Sequence, residues 1–363
     1  MVDDRGQTPE LAVPPGESLR EALENLGVSQ SELASRMRRP VAKINEIVNG
    51  KTAISADTAV QLETALGTPA SFWIRLQSQY DEAVARQRFE QRIASERTAA
   101  ERFPYAEMAN LAWVARTRKL EEKARNLAYF FGVVSLEQVE ELATGAAYRR
   151  SLGSRVSKHA LAAWLRRGEV LARRVETSPY SPGELVHALP RLRSLTLDGG
   201  GFFHRLQREC AEVGVAVVAV PHLKGTYANG ATRWLSPIKP MVQLSLRYPW
   251  DDVFWFSFFH EIGHLLRHRK KNVWIDTDRM ERSAEEEEAD RFAADTLIPK
   301  TAYERFVGSR RRVSEADVRT FARQIGVSPG IVVGRLHFDR VLPRTHLNGL
   351  RRKFRFAVAG EQG

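Results

Sequence analysis

The stretch Asp251-Asp252-Val253-Phe254-Trp255-Phe256-Ser257-Phe258-Phe259-His260-Glu261-Ile262-Gly263-His264-Leu265-Leu266 decides how this chain is read. On a helix, His260 and His264 stand four residues apart on one face, close enough to chelate one Zn²⁺. Glu261 is offset by about 100° around the axis. That puts it at the rim where an attacking water would sit, able to take the water's proton and pass it to a leaving amine. Phe254, Trp255, Phe258, Phe259, Ile262, Leu265 and Leu266 occupy nearly every side, so the helix is buried, with Asp251 and Asp252 as its expected cap. Two imidazoles and a carboxylate are costly in such a helix unless something satisfies them. A metal does so. The alternative is a pair of core histidines bonded to backbone.

A zinc site with two histidines takes a third protein ligand and leaves its fourth position open. The chain offers one in Ser283-Ala284-Glu285-Glu286-Glu287-Glu288-Ala289-Asp290-Arg291-Phe292-Ala293-Ala294-Asp295-Thr296-Leu297. Glu286, Ala289, Asp290, Ala293 and Leu297 share one helical stripe, so the carboxylates of Glu286 and Asp290 point into the same packed surface. Glu286 is the expected ligand. Asp290, one turn later, is placed to accept the outer N–H of a ligating histidine and fix its tautomer. Glu288 takes the ligand role if the register is off by two. Glu285 and Glu287 read as a solvated acidic face.

These motifs resemble the ImmA/IrrE family of zinc metallopeptidases, and the likeness runs from Val213 to Pro299. That family pairs H-E-x-x-H with a downstream E-x-E-A-[ND]-x-F-A-x-x-[LT]-[LI]-x-P. Here the second motif is Glu286-Glu287-Glu288-Ala289-Asp290-Arg291-Phe292-Ala293, closing at Pro299, with Asp290 where Asn is commoner. Gly230 to Leu235 and Lys239 to Tyr248 match as well. Val213–Val220 and Met241–Leu246 read as strands leading into the histidine helix, and Val273–Asp276 as a short strand after it. A small sheet beside two metal-bearing helices is the minimal zincin arrangement. The resemblance implies one Zn²⁺ per chain on His260, His264 and Glu286, with Glu261 as general base. It also implies a protein substrate, which in the family is a helix-turn-helix repressor.

The N-terminal residues carry a second pattern. Leu19, Ala22, Leu23 and Leu26 form a stripe ending at Gly27, and Ser29 caps a helix with Leu33, Ala34 and Met37. A break at Arg38-Arg39-Pro40 leads to a helix with Val41, Ile44, Ile47 and Val48, closed by Asn49-Gly50. Ser55 caps a fourth helix, and Pro69 opens a fifth with Phe72, Trp73, Leu76 and Tyr80. Five short helices with a tight second-to-third turn make the helix-turn-helix pattern. The tokens Ser29 to Ala34, Asn45 to Lys51, Ala53 to Ala59 and Leu66 to Trp73 resemble the Cro/cI-like fold and, within it, the HigA antitoxin subgroup. In that fold the third helix enters the major groove. Val41, Ala42 and Lys43 open it after Pro40, Arg38, Arg39 and Lys51 are placed for bases or phosphates, and Gln30 for a phosphate. Glu46, on the exposed side of this helix, fits the alternative of a protein-interaction module without DNA contact.

With 363 residues the chain is long enough for two or three domains, and its net charge of +11 and pI of about 9.9 suit a polyanionic partner. A single cysteine, Cys210, excludes an internal disulfide and suits a reducing cytoplasm. No apolar run of spanning length and no signal peptide is read, so a cytoplasmic protein with no membrane partner is expected. Helical, strongly charged segments fill the middle: a polar stretch over Ala83–Arg102, then Leu120–Phe131, Ser157–Arg173 and Pro182–Arg193. After Pro299, Ala316–Ile325 and Ile331–Leu336 have the spacing of a second helix-turn-helix but read as support for the catalytic domain, and Arg351-Arg352-Lys353 as a basic patch of unknown use. The fold expected is mainly α with a small sheet (α+β). The domain division expected is residues 1–90 for DNA binding, 91–205 as a helical middle, 206–310 as peptidase core and 311–363 as its helical extension. The function expected is a regulator that binds operator DNA, as a homodimer. Its peptidase acts on a neighbouring repressor or antitoxin, or on the chain itself, in a stress or toxin–antitoxin setting. The alternative is a non-proteolytic, HigA-like repressor whose zincin body is a sensor or structural module.

Overall fold

The structure is a computed structural model, and it describes residues 13–139, 156–268, 274–277, 283–309 and 312–356. The chain divides into two compact units, one ending at Glu96 and the other beginning at Arg97.

The first unit is all helical: α1 (Pro15–Leu26), α2 (Gln30–Arg36), α3 (Val41–Val48), α4 (Ala56–Leu66) and α5 (Ala70–Ser95). Local signals set these bounds. Ser29 Oγ accepts from Glu32 N–H and Ser55 Oγ from Thr58 N–H, each satisfying a donor that the first helical turn leaves open. Gly27 and Gly67 close α1 and α4 in the left-handed conformation. Leu19, Leu33, Ile44, Leu62 and Trp73 meet in one core with no more than trace exposure.

The second unit opens with α6 (Arg97–Ala100), α7 (Tyr105–Asn110), α8 (Leu120–Phe131), α9 (Lys158–Arg174), α10 (Pro182–Ser194) and α11 (Phe202–Glu212). A four-stranded sheet follows: β1 (Ala216–Ala219), β2 (Ala228–Ser236), β3 (Lys239–Leu244) and β4 (Trp274–Thr277), in the order β1-β3-β2-β4. β1 runs parallel to β3, and β2 is antiparallel to both β3 and β4. Between and after the strands come α12 (Asp251–Arg267), α13 (Ala284–Leu297), α14 (Lys300–Gly308), α15 (Glu315–Ile325) and α16 (Pro329–Phe338). The molecule is mainly helical with a small sheet.

Alternation along the strands divides the core of this unit in two. Ala216, Val218 and Met241 meet Leu161, Trp164 and Leu165 of α9 on one face. Val217, Val242 and Leu244 meet α10, α11 and α12 on the other. Helix α9, which the sequence reading placed in a separate middle region, thus covers the sheet of the second unit. Strand β2 was not foreseen as a strand. The strand expected over 273–276 is found at Trp274–Thr277, Val273 lying outside the described residues. Asp251 and Asp252 are not the cap of α12, because Trp250 holds the N-cap position without a side-chain bond. Nor do Arg351 and Arg352 form a free basic patch, since they pair with Asp252 and Asp251.

Candidate functional site

Helices α12 and α13 cross closely because Gly263 faces α13. A Cβ there would stand 3.2 Å from Ala289 Cα and 3.1 Å from Phe292 Cδ1. The approach brings His260, His264 and Glu286 together. His260 Nε2 lies 3.0 Å from His264 Nε2 and 3.1 Å from Glu286 Oε2, and His264 Nε2 lies 3.6 Å from Glu286 Oε1. Ligands about 2.1 Å from a tetrahedral zinc are about 3.4 Å apart, so these separations bracket what the ion asks for. The donor chemistry also fits. Burial opposes ionisation of Glu286, but hydrogen bonds to His260 and His264 outweigh it and hold the carboxyl down at about 2. Burial, the largest influence on His264, holds that imidazole below its ordinary value. An ionised carboxylate beside an imidazole that burial biases to neutrality suits a divalent cation.

Asp290 Oδ1 lies 2.9 Å from His260 Nδ1. Glu288 is not in the cluster. Its Oε2 lies 3.4 Å from Nε2 of His268, whose Nδ1 is 2.9 Å from His264 Nδ1. The sequence reading missed His268, although its position one turn beyond His264 on the same helix face was a usable signal.

Glu261 departs from its expected place at the rim. It is fully buried and turned toward the sheet, Oε2 accepting from Thr232 Oγ1 at 2.6 Å. The cause is the register of β2. Gly230 and Thr232 pair with Leu244 and Val242, which puts both on the sheet face that α12 covers. Gly230 leaves the room, since a Cβ there would stand 2.5 Å from Glu261 Oε1. Beside His260 and Glu286 opens a cleft of about 850 Å³, walled by Phe256, Leu297, Ile298 and Phe338.

In the first unit, Arg38, Val41, Ala42, Lys43 and Lys51 are exposed, and Gln30 and Arg39 half-buried. Gln30 Oε1 accepts from Asn45 at 3.3 Å, which ties the start of α2 to α3. Arg39 Nε donates to Gln61 at 2.7 Å. Lys43 is paired with Glu46 at 2.8 Å, and hydrogen bonds from Lys43 and then Thr52 hold Glu46 below the usual carboxylate range. An exposed pair of this kind is weak and yields readily to a phosphate.

The family model for the IrrE N-terminal-like domain matches residues 251–337, and that for the helix-turn-helix matches residues 19–73. Virulence-associated protein I of Dichelobacter nodosus is 40% identical over 77 residues, 21% of this chain and 71% of that protein. Virulence-associated protein A of the same organism is 46% identical over 59 residues, 16% of this chain and 58% of that protein. The uncharacterized HTH-type transcriptional regulator YddM of Escherichia coli (strain K12) is 30% identical over 71 residues, 20% of this chain and 76% of that protein. Among solved structures, an addiction module antidote protein of a HigA family from Coxiella burnetii is 36% identical with a TM-score of 0.22, covering 23% of this chain and 94% of that one. The Pseudomonas aeruginosa antitoxin HigA with its higBA promoter is likewise 36% identical with a TM-score of 0.22, over 23% of this chain and 90% of that one.

Proposed function

Residues 19–73 belong to the helix-turn-helix family and residues 251–337 form an IrrE N-terminal-like domain, and from this premise we propose that the chain is a DNA-binding regulator that is also a zinc-dependent endopeptidase. The observation that carries the peptidase reading is the convergence of His260 Nε2, His264 Nε2 and the Glu286 carboxylate within one coordination sphere. Zinc bound to these three would polarise a scissile carbonyl and lower the pKa of water, one ion per chain.

The remaining chemistry belongs to the chain. Glu261 takes a proton at its carboxylate from the attacking water and returns it to the leaving amine. Asp290 accepts the His260 Nδ1–H, which leaves Nε2 as the lone-pair donor. The apolar walls of the cleft seat a few residues of polypeptide and shed water from them. The substrate is a repressor- or antitoxin-type protein or a second copy of this chain, cleaved in a stress or toxin–antitoxin response. The DNA-binding residues are Gln30, Arg38, Arg39, Val41, Ala42, Lys43 and Lys51. Two copies of the helix-turn-helix read an operator palindrome.

A second reading is a HigA-like repressor whose metal domain senses or stabilises and does not cut. The full burial of Glu261 under β2 favours it. One experiment separates the two: co-expression of the wild-type chain and Glu261→Gln with helix-turn-helix partners, alongside zinc analysis of both proteins. The peptidase reading expects about one zinc in each and fragments only with the wild type. Bound zinc with no fragments from either supports the second reading, and fragments from both place the base elsewhere.

A further inference from the structure

The protons of the histidine cluster can be assigned by elimination, and the assignment gives a role to a residue outside the three donors. His264 Nε2 faces His260 and Glu286, so as a ligand it must present a lone pair there. A neutral imidazole then carries its proton on Nδ1. That nitrogen lies 2.9 Å from His268 Nδ1, which must accept. The His268 proton therefore sits on Nε2, which lies 3.4 Å from Glu288 Oε2. His268 Nδ1 thus stands behind His264 as Asp290 Oδ1 stands behind His260, each at 2.9 Å from the outer ring nitrogen. The His268 side chain is only 7% exposed, so its ring nitrogens have little water to turn to.

We propose that His268 is a positioning residue that fixes the tautomer and ring angle of His264 for the metal. The inference rests on the metal-centre reading above. It leaves Glu286 to the ion and Asp290 to His260, with the half-exposed Glu288 carboxylate as a nearby charge beside His268. The residue at 268 is the C-cap of α12 in extended backbone, its N–H already bonded to His264 O. Substituting its side chain therefore leaves the helix bond in place.

The test is zinc affinity of the full-length chain, read by competition with a colorimetric chelator, with thermal unfolding of the metal-free form alongside. His268→Leu removes the acceptor and should weaken zinc binding by about 10- to 100-fold. His268→Asn carries an oxygen on Cγ where His carries Nδ1, so it keeps an acceptor and should stay within about threefold of wild type. Glu288→Gln should cost less than His268→Leu. Metal-free unfolding temperatures of the Asn and Leu variants should match. Wild-type affinity in His268→Leu, or equal losses in the Leu and Asn variants, would overturn the assignment. His264→Ala is the control for the centre itself: if it keeps full zinc affinity, the metal reading fails and this one with it. If His264→Ala loses zinc and His268→Leu does not, only the role of His268 fails.

Discussion

Glu261 shows how a single side chain depends on the strand beneath it. Its carboxylate occupies space that only a glycine at 230 leaves open, and Thr232 holds one of its oxygens. Gly230→Ala should therefore displace the carboxylate or bend β2, costing about 1–3 kcal/mol of stability as an overpacked contact. If the proposed peptidase reading holds, proteolysis should fall while zinc content stays near one, because the atoms nearest to the added Cβ all belong to Glu261. Urea unfolding together with elemental analysis checks both halves, and a variant that unfolds like wild type would show that Glu261 has other room. The proximity of the proposed donors was legible in the sequence because the helical period aligns residues four apart. Gly230 and Thr232 were not. The stretch Ala228-Asn229-Gly230-Ala231 is poor in strand-forming residues, and a bond across two elements leaves no trace in spacing.

At the scale of elements, the histidine helix is held at its start by a segment about one hundred residues later. Asp251 is fully buried, accepting from Ser328 Oγ at 3.0 Å and from Arg352 N–H and Nε at 3.0 and 3.2 Å. Asp252 pairs with Arg351, whose guanidinium lies 4.4 Å from the Trp250 ring centre. Helix α16 comes this close because Gly330 and Gly334 face the two aspartates. Asp251→Ala should cost about 2–3 kcal/mol, below the full penalty for breaking a buried pair because Arg352 keeps about a third of its exposure. Adding Arg352→Met should recover part of that loss, since no charge is then left without its partner. Chemical denaturation of the single and double variants checks the sign, and a double variant worse than the single one contradicts the account. The sequence suggested a cap because Asp before an apolar run often is one. The helix-turn-helix was legible almost throughout for the opposite reason: Ser29, Gly27, Ser55 and Gly67 act on their own neighbours.

For the whole molecule, no described helix is long and apolar enough to cross a membrane, and the net charge of +11 favours a polyanion. The excess charge does not by itself say which unit meets DNA, so the claim has to be tested at α3. Arg39 and Lys43 are tied to Gln61 and Glu46 by single exposed or half-exposed bonds, which phosphate can replace at small cost. Binding of the full-length chain to a duplex from its own promoter should weaken in Arg39→Ala/Lys43→Ala. For every phosphate deprived of its cation, the slope of log affinity against log salt should also fall by about 0.9. Any zinc content should not change, because these residues and the proposed metal donors lie in different compact units. The measurement is affinity at several salt concentrations for wild type and double variant, and an unchanged slope would mean that α3 does not face the phosphates. Equal weakening across unrelated duplexes would mark both side chains as phosphate ligands. Weakening confined to the promoter would mean that at least one of them reads a base.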